Sequence, residues 1–158
     1  MPGELVAPAG SDTKGGYYTP IAGEIEGGFR ARPLFYGMLL ANQLAGTDMK
    51  AATLSAAGVD ATAYAGRHPD GWRIAIFNKD SSRSLDLTVQ TPSRCRQGKV
   101  WRLAGPSLDA TTGVSLAGAE VGPDLTWSPR TVGNYAVTDG RLRVAVPSNT
   151  AALLFLDA

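Results

Sequence analysis

From Met49 to Leu156, apolar side chains recur at every second position in short runs, and each run is broken by Gly, Pro, Asn or Asp. A period of two places alternate side chains on opposite faces of a strand, so such a stretch folds by pairing strands and burying one face of each. Val59, Ala61, Ala63 and Ala65 alternate with more polar neighbours. His68-Pro69-Asp70-Gly71 then supplies turn chemistry, and Trp72-Arg73-Ile74-Ala75-Ile76-Phe77 returns, which predicts a hairpin. After the connection Asn78-Lys79-Asp80-Ser81-Ser82, Leu85, Leu87 and Val89 share one face and Ser84, Asp86 and Thr88 the other, which predicts a third strand of the same meander. Residues 99–103 and 134–137 read as two more strands, and residues 105–129 as loops with short strands. Asp139-Gly140 turns the chain into Leu142, Val144 and Val146. The closing run Thr150-Ala151-Ala152-Leu153-Leu154-Phe155-Leu156 is apolar on both faces, so its outer face is expected to meet something other than water. Many short strands separated by turns predict a mainly β fold, an antiparallel β-sandwich.

One segment breaks the pattern. Pro33 suits a first helical turn and Gly46 the left-handed position that ends a helix. The residues between them are apolar around most of the circumference, as in a helix buried on several sides. The fold is therefore expected to carry one short N-terminal apolar α-helix. Residues 1–16 are rich in Gly, Pro, Ala and small polar side chains and read as a flexible N-terminal segment.

With 158 residues the chain can bury one substantial core. Fifteen basic and fourteen acidic side chains leave no electrostatic footprint of a nucleic-acid binder or a polybasic membrane anchor. No run is long and apolar enough for a membrane span, and the start Met-Pro-Gly-Glu-Leu-Val-Ala-Pro has neither the basic nor the apolar region of a secretory signal. Neither nucleic acid nor membrane is an expected partner, and no metal or cofactor is expected either. There is no phosphate-binding Gly loop, no His-Glu-x-x-His and no Gly-x-Ser-x-Gly. Cys95 has no second cysteine to pair with and reads as structural, although Arg94 and Arg96 flank it. The one histidine, His68, precedes Pro69 in a turn and reads as a surface residue. Glu24 and Glu26 stand two apart among glycines, a placement that holds no fixed carboxylate separation. Trp72 and Trp101 lie in strand patterns and read as core. Trp127, in a loop-rich stretch, is the tryptophan best placed to stack on a sugar ring.

The run Gly15-Gly16-Tyr17-Tyr18-Thr19-Pro20-Ile21, followed by Arg32-Pro33-Leu34-Phe35-Tyr36-Gly37-Met38-Leu39-Leu40, resembles the last strand and last helix of the catalytic barrel in glycoside hydrolase family 79, which includes β-glucuronidases and heparanase. The remainder, to Leu156, is similar to the β-sandwich that follows that barrel. Behind the flexible segment at 1–16, the resemblance implies a remnant of the last barrel strand and helix at 17–48 and a β-sandwich at 49–158. It also implies retaining hydrolysis by two glutamates on earlier barrel strands. A (β/α)₈ barrel needs about 250 residues, so neither glutamate has a place here and the isolated chain is expected to have no catalytic residues.

What the resemblance leaves is a candidate substrate-binding set. Gly15 and Tyr17 match the Gly-x-Tyr that binds the glucuronate carboxylate, Tyr18 offers the neighbouring register, and Trp127 is the candidate sugar platform. The partners implied are a (β/α)₈ catalytic barrel, in cis or in trans, and uronic-acid-containing glycans. A helix apolar all round and a last strand apolar on both faces are both expected to face that barrel. Alone, the chain is expected to cover such surface as a homodimer.

Overall fold

The computed structural model of the chain describes residues 19–24, 28–92, 94–130 and 133–157. A hairpin of β1 (Ile21–Glu24) and β2 (Gly28–Ala31) leads into α1 (Pro33–Asn42). Pro33 occupies the first turn, and the chain leaves the helix through a turn whose Gly46 has φ +72°, as the sequence predicts. Then follow β3 (Asp48–Lys50), β4 (Ala61–His68), β5 (Gly71–Asn78), β6 (Leu85–Gln90), β7 (Gln97–Ala104), β8 (Ser115–Leu116), β9 (Gly133–Ala136), β10 (Arg141–Val146) and β11 (Thr150–Leu156).

The fold is mainly β, with antiparallel sheets packed face to face. The main sheet runs β3-β4-β5-β11-β7, and β8 and β9 both pair with the far edge of β7. A two-stranded sheet, β6 with β10, lies over one face. Between the two sheets sit Ile76, Leu85, Cys95, Val100, Leu142, Val144, Val146, Ala152, Leu154 and Leu156. On the opposite face α1 and the segment around β8 cover a second cluster that includes Tyr36, Leu40, Ala75, Val114, Leu116, Ala151 and Leu153. From Ala151 to Leu154, β11 is thus buried on both faces, and its neighbours there are parts of this same chain. At Ala151 and Leu153 the outer face meets α1 and residues 114–117 of this chain, where the sequence reading expected a barrel.

The expected hairpin forms, with His68 paired to Gly71 across Pro69 and Asp70. The turn before β10 also forms as read. Asp139 and Gly140 both take positive φ, 50° and 68°, and Thr138 and Arg141 exchange their backbone hydrogen bonds. The third strand of the meander is a correction. β6 does not pair with β5. The place beside β5 belongs to β11, from Thr150↔Asn78 to Leu156↔Trp72, while β6 crosses to the second sheet. The crossing is built by side chains at the end of β5. Asn78 Nδ2 donates to Arg83 O (2.8 Å), Val146 O (3.0 Å) and Pro147 O (3.2 Å), tying the loop to the β10–β11 corner. Asp80 Oδ1 accepts from Ser82 N (3.0 Å) and Arg83 N (2.9 Å), turning the chain outward. The Ser82 N–H above all, then the Arg83 side chain and N–H, hold the Asp80 carboxyl far below the usual carboxylate range.

The helix departs from the all-round burial expected. Tyr36 and Leu40 are buried against the sheet, whereas Leu34 and Met38, one turn apart, are about half exposed. Ile21 and Phe29, on the neighbouring hairpin, are exposed to a similar degree.

Candidate functional site

Two surfaces concentrate side chains with binding chemistry, and both lie on the α1 side of the main sheet. The first is formed by α1 and the β1–β2 hairpin. Tyr36 projects from α1 to the segment after β8, where its hydroxyl accepts a hydrogen bond from Val121 N–H at 2.9 Å. This link holds the helix over the sheet and shapes a cleft of about 300 Å³, lined by residues of β2, the start of α1, and residues 111–114 and 120–123. The outward edge of the same elements carries Ile21, Phe29, Leu34 and Met38. It is an apolar surface on a helix whose other side is already packed.

The second surface is a strip of rings across three strands of the sheet that α1 leaves uncovered. In the β5–β11–β7 register, Arg73, Phe155 and Lys99 stand side by side, and Trp101 follows on β7. The Arg73 guanidinium lies 4.7 Å from the Phe155 ring centre, Phe155 lies 4.8 Å from Trp101, and Trp127 meets Trp101 edge to face at 5.7 Å. Arg73 is held from the hairpin turn: its Nη2 donates to Asp70 Oδ2 at 2.9 Å and lies 3.2 Å from His68 Nδ1, which in turn sits 2.7 Å from Asp70 Oδ1. Desolvation opposes ionisation of Asp70, but the Arg73 hydrogen bond and the His68 and Arg73 charges outweigh it and hold the carboxyl below its ordinary range. Gln97, Lys99, Asp70 and Asp157 rim the resulting cleft of about 510 Å³ over Trp101 and Phe155.

The residues singled out from the sequence fall as follows. Gly15, Tyr17 and Tyr18 lie outside the described residues. Trp127 lies in the loop as read, but it is only partly exposed, with one edge on Trp101 and its indole N–H donating to Ala119 O at 3.2 Å. Trp72 and Trp101 are also partly buried. His68 sits in its turn with its ring engaged by Asp70 and Arg73. Glu24 closes β1, and Glu26 is outside the described residues. Cys95 is buried, and its thiol donates to Asp157 O at 2.9 Å. Burial first, then the Asp157 charge, pushes that thiol above its ordinary range, so the flanking arginines do not activate it. Sequence reasoning missed Arg73 and Phe155. A charged residue in an apolar strand, on the face of its Ala75 and Phe77 neighbours, was the available signal for Arg73.

No family model and no curated protein matches the chain. Solved structures do match. An arabinofuranosidase aligns with a TM-score of 0.68 at 14% identity, over 87% of this chain and 31% of that protein. The α-L-arabinofuranosidase of Thermotoga maritima gives 0.66 at 13%, over 86% and 31%. A 4-O-α-L-rhamnosyl-β-D-glucuronidase from Fusarium oxysporum gives 0.57 at 21%, over 72% and 27%. The chain thus spans about a third or less of each of these proteins, and at such identity the likeness is one of fold. What the chain shares with these glycoside hydrolases is a β-domain that makes up a minor part of each.

Proposed function

We propose that this chain is the non-catalytic β-sandwich domain of a glycoside hydrolase of the glucuronidase type, akin to family 79, and that it braces a catalytic barrel carried in cis or in trans. The observation that carries this reading is the fold match to roughly a third of several longer glycoside hydrolases. The outer stripe of α1 supports it further. Leu34 and Met38 are large, apolar and about half exposed on a helix already anchored to the sheet through Tyr36 and Leu40. A barrel seated there would bury them, at about 1.5–3 kcal/mol for each side chain fully covered.

The test is complementation. A family 79 barrel lacking its own sandwich is co-expressed with this chain and assayed for glucuronide hydrolysis. The wild-type chain is expected to restore activity, and the L34D/M38D pair to abolish the rescue while leaving the chain's own melting temperature nearly unchanged. Absence of rescue by the wild-type chain overturns the proposal.

The ring strip favours a second reading, a carbohydrate-binding module, because Trp101 and Phe155 floor a cleft whose rim mixes donors and acceptors. On that reading, uronic-acid-containing oligosaccharides shift the tryptophan fluorescence. Lys99→Gln weakens the apparent affinity about tenfold, the effect of one charge-assisted hydrogen bond. A spectrum unchanged at millimolar sugar rules it out.

A further inference from the structure

The two faces of the main sheet are not equally covered. β6 and β10 lie over β11, β7 and part of β5, and no strand among the described residues lies over β4. What remains is a groove of about 860 Å³ between β6 on one side and residues 50–55 on the other, floored by Ala63, Ala65, Trp72, Ile74 and Ile76. We propose that this groove receives one extended peptide strand from a stretch of polypeptide outside this sequence, which pairs with β6 and becomes the third strand of the second sheet.

Four observations converge on a strand as the occupant. The first is the free edge of β6. Arg141 directs both of its backbone groups to Thr138, and Thr91 N–H goes to Gly140 O. Since backbone groups alternate sides along an antiparallel pair, Leu85, Leu87 and Val89 are the residues that bond to β10. The N–H and C=O groups of Asp86, Thr88 and Gln90 therefore point the other way, toward the groove. The second is the opposite wall: residues 51–55 make no backbone hydrogen bond to any described residue. One row of backbone donors and acceptors, that of β6, thus faces the gap, and the opposite wall has backbone groups not committed to any described residue.

The third is the floor, where small Ala63 and Ala65 lie beside partly buried Trp72 and Ile74. That surface takes bulky apolar side chains at every second position of an incoming strand. The fourth is at the groove lining, where the Trp72 Nε1 proton and the Thr91 hydroxyl are enclosed without a hydrogen-bond partner. An orphaned buried group costs about 1–3 kcal/mol, and the carbonyls of a strand are suitable acceptors.

The source follows by elimination. Residues 1–18 carry Pro2, Gly3, Pro8, Gly10, Gly15 and Gly16, which leave no uninterrupted alternating stretch as long as β6. A second copy would bring the edge of a folded sheet, whose further strands would meet the wall at residues 50–55. Edge β3, with Asp48 and Lys50 paired to each other, has no apolar alternation to lend. The occupant therefore belongs to another polypeptide, or to another stretch of a longer one.

The probe is a pool of synthetic eight-residue peptides with Val, Ile, Leu or Phe at every second position and Thr, Lys or Glu between them. It is compared with a pool of the same composition and scrambled order. Hydrogen exchange is read on the full chain. The alternating pool is expected to slow exchange at Asp86, Thr88 and Gln90 by tenfold or more, with little change at Leu87 and Val89. Ala65→Arg, which fills the floor, should remove that protection. Thr88→Pro should do the same by removing a groove-facing N–H while sparing the ladder to β10. Overturning results are equal protection by the scrambled pool, none at millimolar peptide, protection that survives both substitutions, or protection without peptide in a dimer seen by sedimentation.

Discussion

Asn78→Ala is expected to lower the stability of the fold by about 3 kcal/mol, with a fall in melting temperature of about 6–12 °C for a chain of this size. Asn78 is 2% exposed. Its amide nitrogen serves three carbonyls, those of Arg83, Val146 and Pro147, and its oxygen accepts from Asp80 N–H at 3.1 Å. Each net hydrogen bond contributes about 1 kcal/mol, and Arg83 O loses its donor while Pro147 O keeps only the Thr150 hydroxyl. Alanine also leaves a void at the point where β5, the crossing loop and the β10–β11 corner meet. Asn78→Asp should be nearly as damaging, because one carboxylate oxygen keeps the Asp80 N–H while the other faces three carbonyl acceptors. Urea denaturation checks both variants. A loss below 1 kcal/mol for the alanine would show that the corner does not depend on this side chain.

Leu153→Ala is the second large effect, at about 3 kcal/mol within the 2–5 kcal/mol range for a fully enclosed leucine. Leu153 is 0% exposed and packs in the cluster shared by α1 and the segment around β8, opposite Ala75 and Trp101 in the register of the main sheet. The cost should appear as a lower denaturation midpoint with an unchanged m-value, and amides of α1 should exchange faster because the helix rests on this residue. Leu34→Ala, on the exposed side of α1, should change stability by less than about 0.5 kcal/mol. Equal losses at the two leucines would mean that α1 does not close the outer face of β11.

Alternation made the buried faces of β5, β6 and β10 readable, because Leu85, Leu87 and Val89 and then Leu142, Val144 and Val146 each point one way. The turns were readable where their chemistry is local, as at Pro69-Asp70 and Asp139-Gly140. Pairing partners were not. A period of two says which side of a strand is buried and nothing about which strand lies beside it, so β6 reads as the neighbour of β5 although β11 holds that place. The turn at Ala117-Gly118 was hidden because alanine is an uncommon carrier of φ +51°. The double-sided apolar run of β11 correctly announced two covered faces, but periodicity cannot say whether the cover comes from the same chain. The ring strip escaped for a related reason. Arg73, Phe155, Trp101 and Trp127 come from three strands and a loop, and only sheet order makes them neighbours.

The central place of β11 sets an order of events during synthesis. Every other described strand is made before it, yet β5 and β7 pair with it and not with each other. While the ribosome is still at work, the hairpin of β4 and β5 presents the backbone edge of β5 with no partner strand on its far side. The sheet therefore closes only after β11 emerges, so its central pairings are the last that can form, and that of β5 with β11 spans the longest stretch of chain among the described strand pairs.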